Sequence, residues 1–170
     1  MDNVRNMKQD GGKENIITRV QIGRFDIDTC CISPFPKQYK IRSKMWICQF
    51  CLKYMRSKRT YKFHCLRNCN NIRNPPGKVI YNQGILSIFE IDGKQSKFYC
   101  QCLCLLGKLF ILEKTICYAV ENFMFYVLCE VENTDARIVG YFSKEKNCLE
   151  EYNLSCITIL PPYQRKGTGI

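Results

Sequence analysis

The stretch 48-CQFCLKYMRSKRTYKFHCLRNC-69 decides how this chain is read. Cys48 and Cys51 form a Cys-x2-Cys knuckle, His64 follows after twelve residues, and Cys69 after four more. That spacing suits a tetrahedral structural zinc site, in which a knuckle offers two thiolates and a returning helix offers a His and a Cys. His64 is the single histidine of the chain and stands at the required offset. Cys65 is a weaker fourth ligand than Cys69, because adjacent residues rarely chelate one ion. The expected finger spans about residues 44–73. A lone finger beside a larger sheet reads more readily as an architectural staple than as a DNA reader, since single DNA-reading fingers bury little surface.

The finger lies in a segment of unusual charge. From Lys37 to Lys78 there are twelve Lys or Arg and no Asp or Glu. The chain has 26 basic and 15 acidic residues and a formal net charge of +11, so everything outside this segment is close to neutral. Such a footprint fits nucleic-acid or other polyanion contact, with a plain solvated basic face as the alternative.

The 170 residues suffice for one domain with a sizeable core. An apolar share of 46% excludes a wholly disordered chain. No apolar run reaches the roughly 18 residues of a membrane span; Cys100 to Leu112 comes nearest and is broken by Lys108. The N-terminus MDNVRNMKQDGGKENI has no apolar signal core and points to an intracellular protein. Residues 1–15 read as disordered, and 16–170 as the folded unit. In a reducing compartment the thirteen cysteines read as metal ligands, reactive thiols or small core residues, the last fitting Cys100, Cys102 and Cys104.

The rest predicts an α+β protein. IITRVQIGRFDI reads as strand. SPFPKQY reads as extended or turning backbone, and NPPGK as a boundary. GILSIFEIDGKQSKFYC reads as two strands joined at Asp92-Gly93. QCLCLLGKLFIL reads as a buried helix, weakened by Gly107. TICYAV, FMFYVLCEV, RIVGYFS and LSCITIL read as four further strands, with ENTDA a turn.

The last of these strands runs into Gln164-x-x-Gly167-x-Gly169. Glycines there permit close backbone approach, and their N–H groups with Arg165 and Lys166 suit a pyrophosphate. The motif alone is weak, and a plain turn is the alternative. A lone strand cysteine such as Cys156 is ordinarily a core residue.

The blocks FDIDTCCISPFPKQY, WICQFCLKYMRSKRTYKFH, NPPGKVIY, SIFEIDGKQSKFYCQCLCLLGKLFI, EKTICYAV, VGYFSKEKN and YNLSCITILPPYQRKGTG, taken in order, resemble the catalytic domain of MYST-family histone acetyltransferases, most closely the male-absent-on-the-first subgroup. The resemblance runs from about Val20 to Gly169. It implies a zinc finger packed on a mixed sheet of the N-acetyltransferase type. It further implies acetyl transfer from acetyl-CoA to a lysine of a histone tail, histone H4 for this subgroup, within nuclear chromatin complexes. Cys156 matches the family's active-site cysteine and Lys114 its self-acetylated lysine. Ile157, Thr158, Ile159, Gln164, Arg165, Lys166, Gly167, Thr168 and Gly169 match its acetyl-CoA positions. In the family the C-terminal part of the domain, with the helix after the loop and the glutamate taken as general base, follows this point, so the C-terminal part is expected to be missing here. A second reading is a catalytically impaired zinc-finger module that binds chromatin or protein.

Overall fold

A computed structural model describes residues 16–39, 42–69, 71–112, 118–147 and 152–166. The expectation of disorder over residues 1–15 lies outside them. Among the described residues there are two sheets and two α-helices, an α+β architecture. None of these helices is long and apolar enough to cross a membrane.

The smaller sheet is mixed. β1 (Arg19–Ile22) and β2 (Phe25–Asp28) form a tight antiparallel hairpin, turned at Gly23 with φ +55°. β1 also pairs in parallel with β3 (Lys44–Ile47), which turns back through the knuckle into β4 (Tyr54–Met55). The order is β2-β1-β3-β4. α1 (Lys58–Phe63) follows, capped by the Ser57 hydroxyl, which accepts from the Thr60 N–H at 3.2 Å. It runs on into a one-turn π-helical segment, His64–Asn68.

The larger sheet is antiparallel throughout, in the order β5-β6-β7-β8-β9. Its strands are β5 (Lys78–Gln83), β6 (Leu86–Asp92), β7 (Phe123–Glu132), β8 (Asp135–Glu145) and β9 (Leu154–Ile159). Strict alternation of buried and half-buried residues along β6 shows one face on the core. β5 and β9 are the edges; β5 is exposed at every position, including Val79, Ile80 and Tyr81. The β7–β8 turn falls on Asn133 and Thr134, both with positive φ, within the ENTDA stretch.

α2 (Lys97–Lys108) buries Tyr99, Cys100, Cys102, Leu103, Cys104, Leu105, Leu106 and Gly107 in the core. That core joins both sheets, from Val20 and Met45 in the small one to Phe125 and Val127 in the large one. The connector after β2 lies along α2, where the buried Ser33 hydroxyl donates to the Leu105 carbonyl at 2.8 Å.

Three expectations need correction. The second strand expected after Asp92-Gly93 is the start of α2: Asp92 accepts from the Lys94 N–H at 2.7 Å and its carbonyl accepts from the Ser96 N–H, so the chain winds up instead of folding back. Consequently α2 covers 97–108, and Leu109–Leu112, placed in the helix by the sequence reading, lies beyond it. TICYAV is no strand in its described part, since Val120–Asn122 is a 3-10 turn leading into β7; residues 115–117 lie outside the described residues.

Candidate functional site

The knuckle is built by β3 and β4. Leu52 takes φ +59°, unusual for a bulky side chain, and is fully buried in the main core, which holds the turn in place. Two hydrogen bonds close the turn, Leu52 N–H to the Cys48 carbonyl at 3.0 Å and Cys48 N–H to the Lys53 carbonyl at 2.9 Å. The π-helical segment then presents His64 and Cys69 to the knuckle. The ligand atoms of Cys48, Cys51, His64 and Cys69 all lie within 4.8 Å of one another. Cys48 and Cys69 Sγ are 3.6 Å apart, against about 3.8 Å for two thiolates on a tetrahedral zinc with Zn–S near 2.3 Å. His64 is buried, with Nε2 3.2 Å from Cys51 Sγ. Cys65 is not one of the four; it packs at the margin of the finger's own small core.

The thiol chemistry fits a cation. A hydrogen bond from Cys51 draws the Cys48 thiol down to about 4. The same bond, with burial, pushes Cys51 far up. Burial and the Cys48 charge push Cys69 up to about 11. The three clustered thiols work against one another's ionisation, and a divalent ion would let all three ionise.

The second group of expected residues lies on β9. Cys156 is 8% exposed and Ile157 54%, so the side chains of 156 and 158 face the core and that of 157 faces outward. Cys156 stands opposite Ser143 on β8, and Thr158 opposite Tyr141. The Cys156 thiol donates to the Tyr141 hydroxyl at 3.7 Å. Burial pushes the Tyr141 hydroxyl well up, so it stays a neutral phenol. Tyr141 and Ser143 escaped the sequence reading; the one signal that marks them is their alternate position on a strand that pairs with β9. After β9 the chain makes a 3-10 turn at Pro161–Tyr163, and the Gln164 side-chain amide donates to the Ile159 carbonyl at 2.8 Å. Tyr163 packs edge-on to Phe25 of β2 at 5.4 Å, tying this turn to the small sheet. Arg165 adopts φ +61° and, like Lys166, is exposed. Lys114, Gly167, Thr168 and Gly169 lie outside the described residues.

The model of the MOZ/SAS family matches residues 74–170, and that of the MYST family zinc finger domain matches residues 15–69. The chain belongs to the MYST family. It is 47% identical over 157 residues to the histone acetyltransferase MOF of Drosophila melanogaster, covering 92% of this chain and 19% of that protein. It is 50% identical over 153 residues to a putative MYST-like histone acetyltransferase 1 of rice (Oryza sativa subsp. japonica), covering 90% and 34%. It is 47% identical over 150 residues to the human histone acetyltransferase KAT6A, covering 88% and 7%. The chain thus spans about a third or less of the length of these MYST relatives. The MYST zinc-finger match ends at Cys69, the last member of the cluster, and the MOZ/SAS match opens at Asn74, next to the Pro75-Pro76-Gly77 turn.

Proposed function

We propose that this chain carries part of the acetyl-transfer site of a nuclear histone lysine acetyltransferase, with histone H4 as substrate and acetyl-CoA as donor. The match of two MYST family models along almost the whole chain is the observation that supports this most. Zinc would be held by Cys48, Cys51, His64 and Cys69. Its chemistry there is structural: it neutralises three clustered thiolates and pins α1 to the β3–β4 turn.

Transfer to lysine needs a neutral amine, a base to take its proton and hydrogen-bond donors for the carbonyl oxygen. On the family's pattern the base belongs to sequence after Gly169. Cys156 supplies a thiol at the acyl carbon. Two roles fit it: direct attack on the thioester, with coenzyme A leaving as thiolate and the acetyl group passing on to the amine, or lining the site during direct transfer. Side chains 157, 158 and 159 point alternately to opposite faces, so they cannot all line one pocket. Acetyl-CoA would instead meet the backbone of β9, the edge strand of the sheet among the described residues. Gln164, Arg165 and Lys166, followed by Gly167, Thr168 and Gly169, would receive the pyrophosphate. The basic segment 37–78 favours contact with the nucleic acid of the nucleosome, and chromatin-complex subunits are the expected partners. Lys114 is proposed as a self-acetylation site.

The test is acetylation of a histone H4 tail peptide by the zinc-loaded protein with labelled acetyl-CoA. Activity should fall at least tenfold in Cys156→Ala, while zinc stays at about one per chain. An acetylated Cys156, trapped by rapid acid quench, would select the covalent role. An absence of turnover despite full zinc, persisting when the chain is joined to the family's C-terminal part that carries the base, would replace this reading with the non-catalytic binding module, and unchanged turnover in Cys156→Ala of that joined protein would remove the residue from the site.

A further inference from the structure

We propose that Cys30 and Cys31 form a surface dithiol that hydroperoxides convert reversibly to a disulfide, a modification site separate from both the finger and Cys156. Among the described cysteines Cys30 is the exposed one, and Cys31 beside it is half-buried. Their Sγ atoms lie 3.2 Å apart. The backbone holds them so: the N–H groups of Cys30 and Cys31 both donate to the Leu109 carbonyl, each at 3.1 Å, just past the end of α2. Cys30 Sγ reaches the same carbonyl at 3.5 Å. The peptide between the two thiols is thereby clamped to one acceptor, with both sulfurs close together.

The surroundings separate this pair from the other cysteines. Burial pushes the thiols of Cys100, Cys102 and Cys129 up to about 12, where they are inert. Cys48, Cys51 and Cys69 converge on one another in the finger. The bond between the pair holds the proton on Cys31, and the Lys108 ammonium pulls the other way. Cys30, exposed to solvent, is the sulfur a peroxide reaches first, and Cys31, half-buried beside it, is the resolving one.

The steps balance. The Cys30 thiolate attacks the terminal oxygen of the hydroperoxide. The O–O bond breaks, and the leaving alkoxide takes up a proton as alcohol. Cys30 is left as a sulfenic acid. The Cys31 sulfur, deprotonating, attacks the Cys30 sulfur. The S–O bond breaks, the oxygen leaves as water, and the S–S bond forms. Two thiols lose two electrons, and the hydroperoxide gains them. Adjacent Cα atoms stand about 3.8 Å apart across a trans peptide, below the roughly 4.4 Å minimum of ordinary disulfides. The product is strained, and strained disulfides are readily reduced. Closure also twists the peptide that bonds Leu109.

The experiment titrates the zinc-loaded protein with hydrogen peroxide, following zinc release with a chromophoric chelator and mapping thiols by alkylation and peptide mass. The expected result is a Cys30–Cys31 peptide that loses two hydrogens and resists alkylation before zinc appears, both reversed by a thiol reductant. In Cys31→Ser, Cys30 should accumulate as a sulfenic acid trapped by dimedone and then pass to the sulfinic acid. Zinc release ahead of any change at Cys30 would overturn the proposal, as would Cys30 reaching the sulfinic acid equally fast with and without Cys31. Should Cys31→Ser fail to fold, binding of phenylarsine oxide to the reduced wild-type protein decides. Two As–S bonds at this pair, with the oxide oxygen leaving as water, support the dithiol, and reaction only at other cysteines refutes it.

Discussion

Gly107 and Tyr141 meet where α2 crosses the large sheet. A Cβ at Gly107 would overlap the Tyr141 hydroxyl, so the glycine is required by close approach and not by its φ. In sequence it reads as a weak point in a helix, because the partner lies more than thirty residues away. Gly107→Ala should destabilise the protein by about 1–3 kcal/mol despite alanine's better helix propensity. Tyr141→Phe, which removes the overlapping oxygen, should restore part of that loss in a double-mutant cycle by urea unfolding; simple additivity would show that the two do not touch. The same hydroxyl accepts from Cys156, so Tyr141→Phe also leaves that thiol without its acceptor. Leu103, fully buried in the same helix, gives the ordinary core response: Leu103→Ala should cost about 2–5 kcal/mol.

At the scale of elements, the β6–α2 junction depends on Asp92. Its carboxylate accepts from Lys146 Nζ at 2.7 Å, and that bond, with the Lys94 N–H, holds it below the usual carboxylate range. A depressed folded pKa contributes stability that is fully present above the unfolded value near 3.9 and is lost as pH falls through the lower folded one. Asp92→Asn should therefore lower stability at neutral pH by about 1 kcal/mol or less and flatten the acid limb below about pH 4, read from thermal melts against pH. This junction also shows the limit of sequence reading. Asp92-Gly93 looks like a hairpin turn because its local chemistry is the same in both settings; only the spacing of Tyr99, Cys100, Leu103 and Leu106, continued past the turn, marks the helix. The strands from 123 to 159 were legible because short runs rich in β-branched and aromatic residues are bounded by turn residues. The Cys48, Cys51, His64 and Cys69 cluster was legible because knuckle and ligand spacing survive in one dimension. Tyr141 and Ser143 were not, because their place beside Cys156 follows from a register that no local pattern carries.

For the whole molecule, the finger is not an appendage. β3 carries one end of the knuckle and is also the parallel partner of β1, so the cluster and the small sheet share a strand. Chelation of the metal should therefore loosen β1 to β4 together. Hydrogen exchange at Val20, Met45 and Ile47 should accelerate strongly, while β7 and β8 keep their protection. Equal loss across both sheets would mean that the domain is one cooperative unit with its metal.

Among the described residues, the two edges of the large sheet are unpaired, and this has a colloidal consequence. β5 presents exposed Val79, Ile80 and Tyr81, and β9 presents exposed Leu154 and Ile157, so both margins are templates for pairing with another copy. A net charge of +11 keeps copies apart only while their fields reach one another, about 10 Å at 0.1 M salt and about 3 Å at 1 M. High salt would thus remove the protein's protection against self-association. Light scattering of the purified chain should rise with sodium chloride, and a lysine placed at Ile80 or Ile157 should suppress that rise.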